Sequence, residues 1–287
     1  MPILKRIKED LEFSQELADL LDVLRGIASF QFRKAKESRQ HFKTFLDCFE
    51  SFFRIIDLTK AEHPLVSIGS DRMGIVMITS NEGFMGGLNA QVINTALEEK
   101  KDNPAELIVV GERGASYIKG LGEKFTFFQG ISNENKYQIL IELRDYIIQQ
   151  KLKGKIGKVV LSYPEPVSFT QQRVKLINLL PYTELFKGRE PTISETEKVI
   201  IESSLDGIVK YLVTTWITHK LYEIFEDSRL SEFAARTINL ERSHQKLSQR
   251  NKLLRYQYFD TLHKLIDRNM RDIFTSSLLR KQKRESR

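Results

Sequence analysis

A chain of 287 residues that is 41 % apolar and 29 % charged can bury a core and is too rich in both kinds of residue to be disordered. It lacks any run near the roughly 18 consecutive apolar residues of a membrane helix, and Met1 to Asp10 holds no stretch suited to a signal peptide, so a soluble protein that does not span a membrane is expected. The net charge of +7 suits nucleic acid, an anionic membrane surface or an acidic protein partner without choosing among them. A single cysteine, Cys48, excludes an intrachain disulfide and a cysteine metal cluster, fits a reducing compartment, and reads as a small buried apolar residue.

Proline and glycine, which disfavour helix interiors, divide the chain. Between Pro2 and Pro64 there is no proline and one glycine, Gly26; after Pro191 there is no proline and one glycine, Gly207. Two helical arms therefore flank a turn-rich centre, giving expected parts at 1–65, 66–192 and 193–287. The first arm carries steps of three and four through Leu4, Ile7, Leu11, Ser14, Ala18, Leu21, Arg25, Ala28, Phe32, Ala35, Arg39, Phe42, Leu46, Phe49, Phe53 and Ile56. A 3.5-residue repeat held over about eight heptads predicts a left-handed coiled coil.

The centre alternates strand and helix signals: an apolar run at Gly74 to Thr79, a helix from Leu88 to Lys100, a buried strand from Leu107 to Gly111, a helix from Lys136 to Lys153, a strand from Lys158 to Tyr163, and a final edge strand from Val174 to Leu180, ended by Pro181. Strands separated by such helices predict parallel βαβ units. The last arm repeats Leu230, Phe233, Leu240, Leu247, Leu254, Tyr258 and Leu265, diluted by Thr237, His244, Asn251 and Thr261. One helix over 197–279 would extend roughly 120 Å, and its most economical partner is the first arm, running antiparallel. The competing arrangement is two separate surface helices or an oligomeric bundle. The fold class is thus a parallel-sheet, Rossmann-like α/β insert between two long terminal helices that form an antiparallel left-handed coiled coil.

Chemistry-bearing motifs are weak. The loop Ser80 to Asn89 lies between a strand and a helix, but it has neither the lysine and hydroxyl residue of a phosphate loop nor dinucleotide spacing, so Gly83, Gly86, Gly87 and Asn89 read as a tight structural turn. His41, His63, His219, His244 and His263 show no metal-ligand spacing, and no nucleophile elbow occurs. Neither a catalytic residue, nor a cofactor, nor a metal is expected. Basic clusters at Arg33, Lys34, Lys36 and Arg39 and from Arg280 to the end lack the aromatic platform of a nucleic-acid binder, so an acidic protein partner suits them better and no nucleic acid is expected.

Several motifs in order resemble the gamma subunit of the F-type ATP synthase along the whole chain. Ile78-Thr79-Ser80-Asn81-Glu82-Gly83 with Gly86-Gly87-Leu88-Asn89 is similar to that family's Ile-Thr-Ser-Asp-Arg-Gly and Gly-Gly-Leu-Asn elements, and Val110 to Gly114 to its Val-Gly-Lys-Lys-Gly turn. Val159 to Gln172 with Leu179-Leu180-Pro181, Ile27-Ala28-Ser29 before Arg33-Lys34-Ala35, and Ser231-Glu232-Phe233-Ala234-Ala235-Arg236 also fit. The departures fall where that family meets its partners: Asp22-Val23-Leu24-Arg25-Gly26, Leu262-His263 and Ile266-Asp267-Arg268-Asn269 replace its usual residues, a basic tail from Arg280 replaces its small apolar last turn, and Arg189 precedes Glu190-Pro191 where it has an aromatic residue. This reads as a divergent member.

The resemblance implies a non-catalytic central-stalk rotor subunit on the cytoplasmic face of a bacterial inner membrane. Its implied partners are the catalytic and non-catalytic subunits of an ATPase hexamer, a small central-stalk companion subunit and a membrane ion-translocating ring. Arg25, Arg33, Lys34, Lys36, His263, Asp267 and Asn269 become candidate hexamer contacts, and Arg189, Glu190 and Pro191 candidate ring contacts. A free-standing coiled-coil scaffold and a basic nucleic-acid-binding protein are the rival readings.

Overall fold

The computed structural model describes residues 2–39, 63–67, 69–101, 104–181 and 204–285. The seam positions from Phe42 to Ile56, Cys48, and Arg189 to Pro191 lie outside them. Compactness groups the chain into Met1–Ile27 with Leu240–Arg287, and Ala28–Asn239, rather than at the breaker-defined positions 65 and 192. The difference arises because parts of both terminal helices pack with the α/β elements.

In the second unit a five-stranded sheet has the order β3-β2-β1-β4-β5, with β1 Met73–Ile78, β2 Ala105–Val110, β3 Phe125–Phe128, β4 Lys158–Pro166 and β5 Gln172–Leu180. The first four pair in parallel, while β5 runs antiparallel to β4 at one edge. Helix α1 is Pro2–Arg39; α2 Leu88–Lys100, α3 Glu112–Gly120 and α4 Lys136–Leu152 connect the strands; and α5 runs unbroken from Leu205 to Glu285. The expected helix from Leu88 to Lys100 has those bounds, and the expected strands differ by a few end residues. Two elements, α3 and β3, have no clear sequence signal. Helix α3 contains Gly114 and Gly120, and β3 has only four residues, so neither carries a readable period.

Every residue of β1 is buried, as a central parallel strand requires, and alternate side chains feed two cores. Met73, Ile75 and Met77 meet Val92, Ile93 and Ala96 of α2 and Ile118 of α3. Val76 and Ile78 meet Ile139, Leu143 and Ile147 of α4 together with Val213, Ile217 and Phe225 of α5. The first turns of α5 are therefore a core helix, closing a three-layer α/β/α stack.

In the first unit, Arg25 bonds Glu241, and Ser14, further toward the N-terminus, accepts from Asn251, further toward the C-terminus. The helices therefore run antiparallel, and the structure is a coiled coil with a Rossmann-like insert. Within α1 itself, each seam position from Leu4 to Ala35 is buried or half-buried.

One buried charge ties loops of the second unit together. Lys151, 2 % exposed, donates through Nζ to the carbonyl of Ser67 at 2.6 Å and to that of Gly157. Burial lowers its pKa from 10.5 to about 8. Between those values the unfolded chain binds more protons than the folded one, so this group makes stability rise with pH across that window. Urea unfolding of the wild type and Lys151→Met at roughly pH 8 and pH 9.5 should show the wild type gaining about 2 kcal/mol on the variant; parallel profiles would remove the lysine as the cause.

Candidate functional site

Reversal of the crossover direction between β1 and β4 opens a crevice beyond their carboxyl ends, the place where open α/β sheets hold ligands. Here α5 lies across it. Met85 and Leu88 pack on Ala235, with Val174 beside them. Ser231 Oγ donates to the carbonyl of Pro164 at 3.0 Å. Arg236, 6 % exposed, reaches Glu82 with Nη1 at 2.9 Å and Glu232 with Nη2 at 2.5 Å, and donates from Nε to the carbonyl of Gly83 at 3.3 Å. Burial pushes the Glu232 carboxyl up, and Arg236 opposes that rise.

The glycine-rich loop is shaped to receive this helix. At Gly86, φ is 63°, and a Cβ would stand 3.0 Å from the Asn239 amide. Gly83 offers its carbonyl to Arg236, and Gly87, at φ −88°, precedes α2. Asn89 fastens the loop: its Nδ2 donates to Ser80 Oγ at 2.9 Å, and its Oδ1 accepts from the Ser80 amide at 3.2 Å. Phe84, with φ 65°, takes the left-handed turn that the sequence suggested only for glycines. The neighbouring turn depends on Gly111, at φ 104°, where a Cβ would come within 2.3 Å of the Thr79 carbonyl oxygen.

The remaining candidate residues separate by exposure. Arg33, Lys34 and Lys36 are exposed on α1, and His263, Asp267 and Asn269 on α5. Arg25 is half-buried and engaged inside the coiled coil by Glu241 and by Asp22 at 2.5 Å. Arg189, Glu190 and Pro191 lie outside the described residues. Two surface features lie off the inner seam that the heptad repeat marks. The outer face of α1 exposes Phe13, Leu20, Val23 and Ile27, and residues 266–278 of α5 are all exposed, Met270, Ile273 and Phe274 among them.

The clasp is testable by unequal substitutions. Arg236→Met leaves the half-buried Glu232 unpaired and should cost about 3 kcal/mol, whereas Glu82→Gln, at an exposed partner, should cost under about 1 kcal/mol. Thermal unfolding measures both, and equal small losses would show that the clasp does not hold the loop.

A model of the family described as ATP synthase matches residues 3–277. The ATP synthase gamma chain of Nitratidesulfovibrio vulgaris is 27 % identical over 286 residues, with 95 % of this chain and 97 % of that one aligned. That of Clostridium beijerinckii is 25 % identical, with 82 % of each covered. Among solved structures, a chain of the Euglena gracilis mitochondrial ATP synthase rotor has a TM-score of 0.67 at 17 % identity, with 92 % of this chain and 99 % of that chain covered. Another, from the OSCP/F1/c-ring assembly of the same enzyme, has a TM-score of 0.70 at 15 % identity, with 96 % and 93 % covered. With the family match running over nearly the whole sequence, this chain belongs to the ATP synthase family, among its gamma chains.

Proposed function

We propose that this chain is the central-stalk rotor subunit of an F-type rotary ATP synthase, coupling rotation of a membrane ion ring to conformational cycling of a catalytic hexamer. The family match over residues 3–277 carries the reading, and neither the scaffold nor the nucleic-acid alternative gains support from it. Helix α5 supplies the physical means. It is a core helix where Val213 to Phe225 pack on the sheet, and it continues without a break to Glu285. A helix rooted in this way transmits rotation through its backbone hydrogen bonds.

The chain performs no catalysis in this reading. An unsymmetrical pair of helices offers a different face to each catalytic subunit, so turning it biases successive sites through differential contact. Arg33, Lys34 and Lys36 suit acidic segments of the hexamer, while His263, Asp267, Asn269 and the apolar residues beyond them form the inner bearing surface. The α/β unit, with a small companion subunit, engages the ring, and Arg189, Glu190 and Pro191 are assigned to that contact. No helix among the described residues is long and apolar enough to cross a membrane. The chain is then held at the membrane by its partners, on the cytoplasmic face in a bacterial cell.

Affinity purification of the tagged full-length chain from its own cells should recover ATPase catalytic subunits in fixed ratio; a tagged chain that elutes alone overturns the reading. Joint reversal at Arg33→Glu, Lys34→Glu and Lys36→Glu should slow association with the hexamer about tenfold at low salt, an effect that fades as salt rises. Unchanged, salt-independent association would remove these three residues from the contact.

A further inference from the structure

Toward the N-terminal end of α5 from the Arg236 clasp, the second unit contains a small recess of about 90 Å³ lined by α1, the start of α4 and α5. Its unusual member is Arg229. This guanidinium is 8 % exposed, donates from Nη1 to Asn133 Oδ1 at 2.5 Å and lies 5.4 Å from the Phe233 ring centroid. Among the described residues no carboxylate comes within ion-pair distance of it; Glu232, which feels its field, is hydrogen-bonded to Arg236 instead. A buried charge is ordinarily paired, because desolvation costs several kcal/mol per ion. Arg229 has five N–H donors and, among the described residues, uses one, on a side chain that carries no charge.

The surroundings add to this positive field. Lys34 lines the recess and is itself exposed, Gln31 contributes an amide, and the amino end of the 17-residue helix α4 begins beside Asn133. Lys136 is already satisfied, with Nζ at 2.7 Å from Glu226 Oε1 and 3.1 Å from the Tyr222 hydroxyl. Glu226 lines the same space, and an ionised carboxylate accepts hydrogen bonds only. An oxyanion carrying a proton can donate to it, while a fully deprotonated one has no proton to offer and leaves that contact unmade.

We propose that the recess binds one small tetrahedral oxyanion bearing a proton, hydrogen phosphate, with Arg229, Lys34 and Gln31 as donors and Glu226 as acceptor. The volume, about that of three waters, admits such an ion and excludes a nucleotide. This inference rests on the recess itself and is independent of the rotor reading.

Isothermal titration of the purified full-length chain with sodium phosphate and with sodium sulfate, at matched ionic strength and neutral pH, tests it. Saturable uptake of one phosphate is expected, with sulfate at least about tenfold weaker, and with Arg229→Gln and Lys34→Gln each weakening phosphate about tenfold. Lys34 is on the surface, so Lys34→Gln decides the matter if Arg229→Gln fails to fold. Phosphate heats no larger than those of sulfate, or phosphate binding by Lys34→Gln equal to that of the wild type, overturns the assignment.

Discussion

The seating of α5 across the crevice between β1 and β4 is the constraint on which the α/β unit depends. In a nucleotide-binding sheet this crevice is left open to a phosphate; here Met85, Leu88 and Ala235 close it, and Arg236 ties Glu82 and Gly83 to Glu232. A buried guanidinium contributes little net stability, because desolvation offsets most of its attraction. Its effect is to define position: three partners fix how α5 sits over the loop, and the loop in turn needs Gly86 so that Asn239 can approach.

The coiled coil follows a different principle. Its seam is deliberately imperfect, with Ser14 opposite Asn251 and Arg25 opposite Glu241 where apolar residues would pack more tightly. Ser14 Oγ and Asn251 Oδ1 are buried without a hydrogen-bond partner among the described residues. Such groups cost stability, and in coiled coils a polar seam position fixes register and orientation at that expense. A tightly apolar pair of helices would bind its partner helix more strongly and tolerate shifted registers more readily.

Much of this architecture was legible because it is periodic. The 3.5-residue repeat marked Leu4 to Ala35 as shielded, and each of those positions is, because the side chains alone encode which face a helix buries. The helix from Leu88 to Lys100 was bounded by glycine before it and a polar run after it. The sites were not legible in the same way. Arg236 and Gly83 are 153 residues apart, and no local pattern records that they touch. Arg229 and Asn133, separated by 96 residues, are equally silent in sequence. Both depend on which sheet edge and helix end the topology brings together.

The end of α5 differs from the rest of that helix. The side chains from Ile266 to Leu278 are all exposed, hydrocarbon included. In proteins most helical stability comes from packing of one face, and this stretch of α5 packs neither face against a described residue. An enclosing sleeve that covered Met270, Ile273 and Phe274 would add to this helix the apolar burial that no described residue supplies.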